Sequence, residues 1–260
     1  MYKKNIVVAD TVSFGYSEKK IIKDISLTIS KQESVVFLGS SGSGKSTFLK
    51  LCCGLLKPVS GIITVNDVEM YALKDHDKRS FMISDIGFLF QDGALINNLN
   101  VFDNIALPLR YHKMYSEKEI VNKVWEVLEQ FEITHVSDAN PATLSLGQRK
   151  FVAFARVFLT EPSVLFLDEP TASVDMHSAE KMIQMIRLYN ILGGTIISIT
   201  HDMFYANSIA SLMGIIHQGE LVEFGRPSQI KFSDNPVIKM ILKSVNKDAD
   251  MADLLLRIMN

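Results

Sequence analysis

A chain of 260 residues, 47% of them hydrophobic, can bury one large core and needs no disulfide framework to hold it. Its two cysteines, Cys52 and Cys53, are adjacent, which excludes a disulfide scaffold and the spaced ligand pairs of a structural zinc site, and a reduced cytoplasmic setting fits best. A formal net charge of -2 gives no basic excess for a phosphate backbone, and no apolar run reaches the roughly 18 to 20 residues that cross a bilayer; no nucleic-acid partner is expected, and any membrane role must come through another protein.

The start, Met1 to Ile6, lacks the apolar stretch of a secretory signal. Ile25-Ser26-Leu27-Thr28-Ile29 alternates apolar and polar residues, the period of a strand covered on one face. Val35-Val36-Phe37-Leu38 is continuously apolar, as a strand covered on both faces is. Lys45 to Cys53 predicts a helix closed by Gly54, and Gly61 to Val65 a strand turning at Asn66-Asp67. Ile86 to Phe90 reads as another strand. Ser116-Glu117-Lys118-Glu119 is a capping-box pattern, followed at helical spacing by Ile120, Val124, Val127, Leu128 and Phe131. This predicts a helical insertion, with Trp125 in its core. Buried strands return at Val164 to Leu167 and Thr195 to Ile199, with a helix near His177 to Leu192 between them. That β-α-β rhythm predicts an α/β fold whose parallel sheet is covered by helices on both faces. From Phe232 onward the rhythm stops, and an appended helical tail is expected.

Between the strand at Val35 and the helix at Lys45 lies Gly39-Ser40-Ser41-Gly42-Ser43-Gly44-Lys45-Ser46-Thr47, a complete phosphate-binding loop. Gly39 and Gly44 let the backbone turn closely around an anion, so that several N–H groups and the positive end of the helix face it. Lys45 reaches the outer phosphates of a nucleoside triphosphate. One ammonium does not balance that charge, so Ser46 is expected to hold magnesium. Asp168 and Glu169 end a buried strand, where open α/β sheets place their ligands. Asp168 suits magnesium, directly or through water, and Glu169 suits a general base that takes a proton from attacking water. Gln91 and His201 also follow strands and are candidates for the γ-phosphate, with Gln91 a further candidate for the metal.

Taken in order, the P-loop, Gln91, Leu144-Ser145-Leu146-Gly147-Gln148, Asp168-Glu169, Ser173-Val174-Asp175 and His201 resemble the nucleotide-binding domains of ABC transporters from about Ile6 to Gly225. The resemblance implies a RecA-like P-loop NTPase core with an antiparallel β subdomain and an α-helical subdomain inserted at about 92–160. An ATPase domain over 1–228 is then followed by a helical extension over 229–260. It further implies ATP and magnesium as cofactors, Tyr16 stacked on adenine, and a head-to-tail dimer. In that dimer Ser145, Gly147, Gln148 and Asp175 serve the nucleotide of the opposing copy, with His201 as the switch at the γ-phosphate. Two positions depart from the family pattern: Leu146 stands where glycine is usual, and Lys150 where glutamine is common.

A narrower similarity runs from Phe90-Gln91-Asp92-Gly93-Ala94-Leu95-Ile96 to Leu99 through Arg110, and again at Asn235-Pro236-Val237-Ile238-Lys239. These stretches look like the ATPase of Mla-type, MCE-associated lipid transporters. That similarity implies a phospholipid or lipid cargo, an integral membrane permease, an MCE-domain protein and a STAS-domain protein as partners, and a place on the cytoplasmic face of the inner membrane. Ile238, Ile241, Leu242 and Val245 then either pack on their own domain or help hold a dimer or partner. Two other readings stand beside it: a non-transport ABC ATPase regulating an envelope or cell-division protein, and one serving another cargo such as released lipoproteins. A guanine-specific switch is disfavoured, because the nearest string to its base-reading motif, Asn246-Lys247-Asp248-Ala249-Asp250, has Asp248 too early.

Overall fold

The computed structural model describes residues 4–16, 19–113 and 115–245. Residues 246–260, which include the Asn246 to Asp250 string and the end of the expected tail, lie outside them.

The chain begins with a long hairpin, β1 (Asn5–Tyr16) and β2 (Lys19–Ser30), and then enters β3 (Ser34–Leu38) and α1 (Lys45–Cys52). After β4 (Ser60–Val65), β5 (Val68–Glu69), α2 (Asp75–Asp85) and β6 (Ile86–Leu89) come three helices, α3 (Val101–His112), α4 (Glu117–Gln130) and α5 (Leu146–Phe158). The core resumes with β7 (Val164–Asp168), α6 (Met176–Ile191), β8 (Thr195–Ile199) and α7 (Met203–Ile209), and closes with β9 (Leu212–His217), β10 (Glu220–Gly225) and α8 (Pro227–Lys231). Residues 236–245 are helical.

Two sheets result. Six strands run in the order β10-β9-β3-β8-β7-β6, with β9 through β6 parallel and β10 antiparallel at the edge. The others form an antiparallel sheet, β2-β1-β4-β5. Every residue of β3, β7 and β8 is buried, as their unbroken apolar runs require of parallel strands covered on both faces. One hydrophobic cluster fills the space between the two sheets around α1; the other joins the opposite face of the large sheet to α3 through α7. This is the α/β, P-loop NTPase fold with an antiparallel sheet and a helical subdomain.

Local chemistry sets the helix starts. Ser116 and Glu119 complete their capping box on α4, and Ser145 and Gln148 form a second one on α5. Asn100, Asp175 and Asp202 cap α3, α6 and α7 through their side-chain oxygens. On α4, Ile120, Val124, Val127 and Leu128 are buried, but Trp125 is not in the core: it is 41% exposed and lies against Phe102 of α3. Its helical position points away from the stripe that Ile120 and Val124 share. In the tail, Ile238, Ile241 and Val245 are buried in the same cluster as the helical subdomain, and Leu242 packs partly against it. Residues 236–245 thus contribute apolar side chains to the core of their own domain.

Candidate functional site

The P-loop leaves the carboxyl end of β3, the third strand of the large sheet, and leads into the amino terminus of α1. Its tight course is dictated by two glycines. A Cβ on Gly39 would stand 2.2 Å from the Ile216 carbonyl oxygen, and Gly44 has φ 106 at the start of the helix, where no side chain caps α1. The first N–H groups of α1 are therefore offered to whatever enters the loop. Lys45 crosses beneath it, donating from Nζ to the Gly39 carbonyl at 2.7 Å and the Ser40 carbonyl at 3.0 Å. Burial lowers its pKa, while Glu169 and Asp168 pull it back up. Ser43 Oγ is buried without a hydrogen-bond partner. An uncapped helix start, a buried ammonium and an orphaned hydroxyl together fit a polyphosphate.

Above the loop opens a cleft of about 1010 Å³. The whole run Gly39 to Thr47 lines it, together with Gln91, Glu169 and His201, which come from the ends of β6, β7 and β8. These residues, far apart in the chain, meet because parallel strands deliver their carboxyl ends to one edge of the sheet. Lys19, Lys20, Gln218, Ser244 and Val245 also line the cleft. Sequence reasoning missed them: the lysines read as an ordinary polar hairpin, and the tail positions acquire meaning only from where the last helix packs.

The two carboxylates of the acidic pair meet different partners. Asp168 Oδ1 lies 3.4 Å from Ser46 Oγ, a loose contact that leaves both oxygens turned to a common space. Burial raises the Asp168 pKa, and the neighbouring Glu169 charge adds to the effect. Glu169 has φ 48, a left-handed conformation unusual for a non-glycine residue. Its carboxylate accepts from Thr200 Oγ1 at 3.1 Å and from His201 Nδ1 at 2.8 Å. That bond raises the His201 pKa, against the opposing effect of burial. The described residues contain no cluster of three or more histidine, cysteine or acidic side chains able to hold a metal by themselves. Ser46 and Asp168 instead suit a cation that takes its remaining oxygens from phosphates and water.

The remaining candidates lie elsewhere. Tyr16 is 60% exposed at the end of β1, with its Cα paired to Lys19 of the cleft wall. Ser145 and Gln148 occupy each other: Ser145 Oγ accepts from the Gln148 N–H at 3.2 Å, and Gln148 Oε1 accepts from the Ser145 N–H at 2.9 Å. Asp175 caps α6 by accepting from the Ser178 N–H at 2.9 Å, and a Cβ on Gly147 would stand 3.6 Å from Asp175 Oδ2. Ser145 and Asp175 are thus exposed on either side of the buried Gly147, and none of the three lines the cleft of their own chain. Leu146, the first residue of α5, is 38% exposed and lines a smaller cavity of about 470 Å³ with Gln91, Asp168 and Lys150.

A model of the family described as ABC transporter matches residues 22–172, more than half of the chain. The lipoprotein-releasing system ATP-binding protein LolD of Colwellia psychrerythraea is 36% identical over 208 residues, which is 80% of this chain and 80% of LolD. The "Probable ribonucleotide transport ATP-binding protein mkl" of Mycobacterium tuberculosis is 36% identical over 89% of this chain, which spans only 64% of that relative. Methionine import ATP-binding protein MetN 1 of Rhodopseudomonas palustris is 38% identical over 80% of this chain and 56% of its own length. Among solved structures, the dimeric post-hydrolysis state of the ATP-binding cassette MJ0796, bound to ADP and Pi, superposes with a TM-score of 0.80 and 29% identity, covering 85% of this chain and 98% of that one.

Proposed function

We propose that this chain, which belongs to the ABC transporter family and is an ATP hydrolase, is the motor of a transporter whose two ATP sites are each shared between two copies. The observation that carries this reading is the separation of two half-sites on one chain. The P-loop cleft holds Lys45, Glu169 and His201, whereas the exposed Ser145 and the adjoining Gly147 lie outside it. A head-to-tail dimer would bring those two residues over the partner's cleft, and dimeric cassettes are known among the solved relatives.

In this reading the P-loop N–H groups and Lys45 bind the phosphates of ATP, and Tyr16 supports the adenine. Ser46, Asp168 and Gln91 would hold magnesium, whose positive charge would offset the charge developing on the outer phosphates. Glu169 orients the attacking water and takes its proton. His201, already bonded to Glu169, faces the γ-phosphate. Ser145, Gly147, Gln148 and Asp175 complete the site of the opposing copy.

No helix among the described residues is long and apolar enough to cross a membrane, and in this reading force passes to a separate permease. The surface proposed for that contact is the segment from Gly93 through α3. Phe102 and Trp125 flank it, and Ile96 and Tyr111 are exposed on it. For cargo, the similarity of Phe90 to Arg110 to the lipid-transport ATPases supports a phospholipid or related lipid, with MCE-domain and STAS-domain proteins as further subunits. The likeness to LolD favours a second reading, release of lipoproteins, whose cargo carries a lipid anchor. Purifying the intact complex from membranes and identifying its subunits and bound lipids tests both: recovery with a multi-spanning permease supports the motor, and recovery with only a single-span protein contradicts it.

A further inference from the structure

Lys150 is buried, at 1% exposure, in the second turn of α5, where a bare ammonium would be costly. Its Nζ donates to the backbone carbonyls of Glu169 at 2.8 Å and Ala172 at 2.5 Å. Those two carbonyls bracket the turn that leaves β7, which carries Glu169 in its left-handed conformation. The Ala172 N–H closes the same turn onto the Glu169 carbonyl at 3.3 Å. Left to itself, a non-glycine residue in that region relaxes to another conformation and turns its side chain with it; neighbours must hold it there.

The same helix reaches the other side of the site. Arg156, two residues before the end of α5, donates to the carbonyls of Gly93 and Ala94, both at 3.0 Å, in the turn just after Gln91. One helix therefore grips the turn following the glutamine and the turn bearing the acid, and its cap Ser145 and first residues Leu146 and Gly147 are the candidate half-site.

We propose that Lys150 is a positioning residue for hydrolysis: its ammonium fixes the Glu169 to Ala172 turn against the helix that begins at Ser145, and thereby aims the Glu169 carboxylate. The proposal rests on Glu169 being the general base. Lys150 touches no reacting atom, and it joins the half-site that serves the opposing copy to the acid that serves its own.

The test uses the purified full-length chain. Lys150→Met keeps the length and loses the donors; Lys150→Gln keeps two N–H donors for two carbonyls. Lys150→Met is expected to lower kcat roughly tenfold or more, as a displaced catalytic group does. ATP affinity and KM stay within about twofold, and Lys150→Gln recovers most of the rate. In single-turnover hydrolysis the double variant with Glu169→Gln should be no slower than Glu169→Gln alone, because both changes act through one group. Should Lys150→Met not fold, Lys150→Ala carries the same comparison. A wild-type kcat in the Met or Ala variant, a loss that Gln does not recover, or a loss that adds in full to that of Glu169→Gln overturns the proposal. If Glu169→Gln itself retains full activity, it is the general-base reading that fails, whatever Lys150 does.

Discussion

His201 Nδ1 lies 2.8 Å from Glu169 Oε1, so the histidine proposed to face the γ-phosphate and the candidate base are bonded to each other. The second carboxylate oxygen is also engaged, by Thr200 Oγ1 at 3.1 Å and the His201 N–H at 3.4 Å. Both oxygens of the Glu169 carboxylate are thus held by the segment that follows β8.

The pair makes a titration prediction. Its hydrogen bond raises the His201 pKa above 6.5, and NMR titration of the imidazole should show this, with the value falling back toward 6.5 in Glu169→Gln. Because the folded value exceeds the unfolded one, the stabilisation is complete below about pH 6.5 and is lost as pH rises through the folded pKa. The ring is 55% exposed, so solvent screens the pair and the fall in melting temperature across that window is small. A His201 pKa at or below 6.5 contradicts the geometry.

Glu169→Gln should cut steady-state ATP hydrolysis by about 10²- to 10⁴-fold, the range for loss of a general base. Nucleotide binding survives, and ATP should drive the variant into a lasting dimer visible by light scattering. Hydrolysis within a fewfold of wild type would remove Glu169 from the chemistry.

Leu146 places an exposed apolar side chain at the first position of α5, beside the surface that would close on the partner's nucleotide. Leu146→Gly should tighten ATP-driven dimerisation and raise hydrolysis about threefold, under 1 kcal/mol of barrier. A slower enzyme would show that the leucine contributes to closure.

Asn104 is fully buried on α3 and ties down the loop before it. It accepts from the Ile96 N–H at 2.8 Å and donates to the carbonyls of Ile96, Leu99 and Asn100 at 3.0 to 3.1 Å. Asn104→Ala leaves those groups unsatisfied and should cost about 2 kcal/mol in stability by denaturant titration. Intrinsic ATP hydrolysis should persist while co-purification with the proposed permease weakens. Loss of both together would place Asn104 in the ATP site's own support.

The parallel core was legible because β3, β7 and β8 are buried on both faces and therefore carry continuous apolar runs; α4 and its capping box were legible for the complementary reason, one buried stripe. Helix α2 left no trace in the pattern because none of its residues is buried, so its sequence has no periodicity to read. Within the site, Asp168, Glu169, Gln91 and His201 could be picked out because strand ends are recognisable. The grip of Lys150 and Arg156 on distant carbonyls could not, since backbone acceptors carry no residue identity. Lys150 stood out only as a departure from glutamine.

The sharing of each ATP site between two copies is tested most directly by heterodimers isolated through two different tags. With Lys45→Ala in one copy and Ser145→Arg in the other, a shared arrangement concentrates both defects in one site and leaves the second intact. Hydrolysis should therefore persist near half the wild-type rate. With both changes in one copy and a wild-type partner, each site carries a defect and hydrolysis should be lost. The reverse outcome, an inactive first heterodimer and an active second, would place each P-loop and its signature serine in the same site and contradict the account.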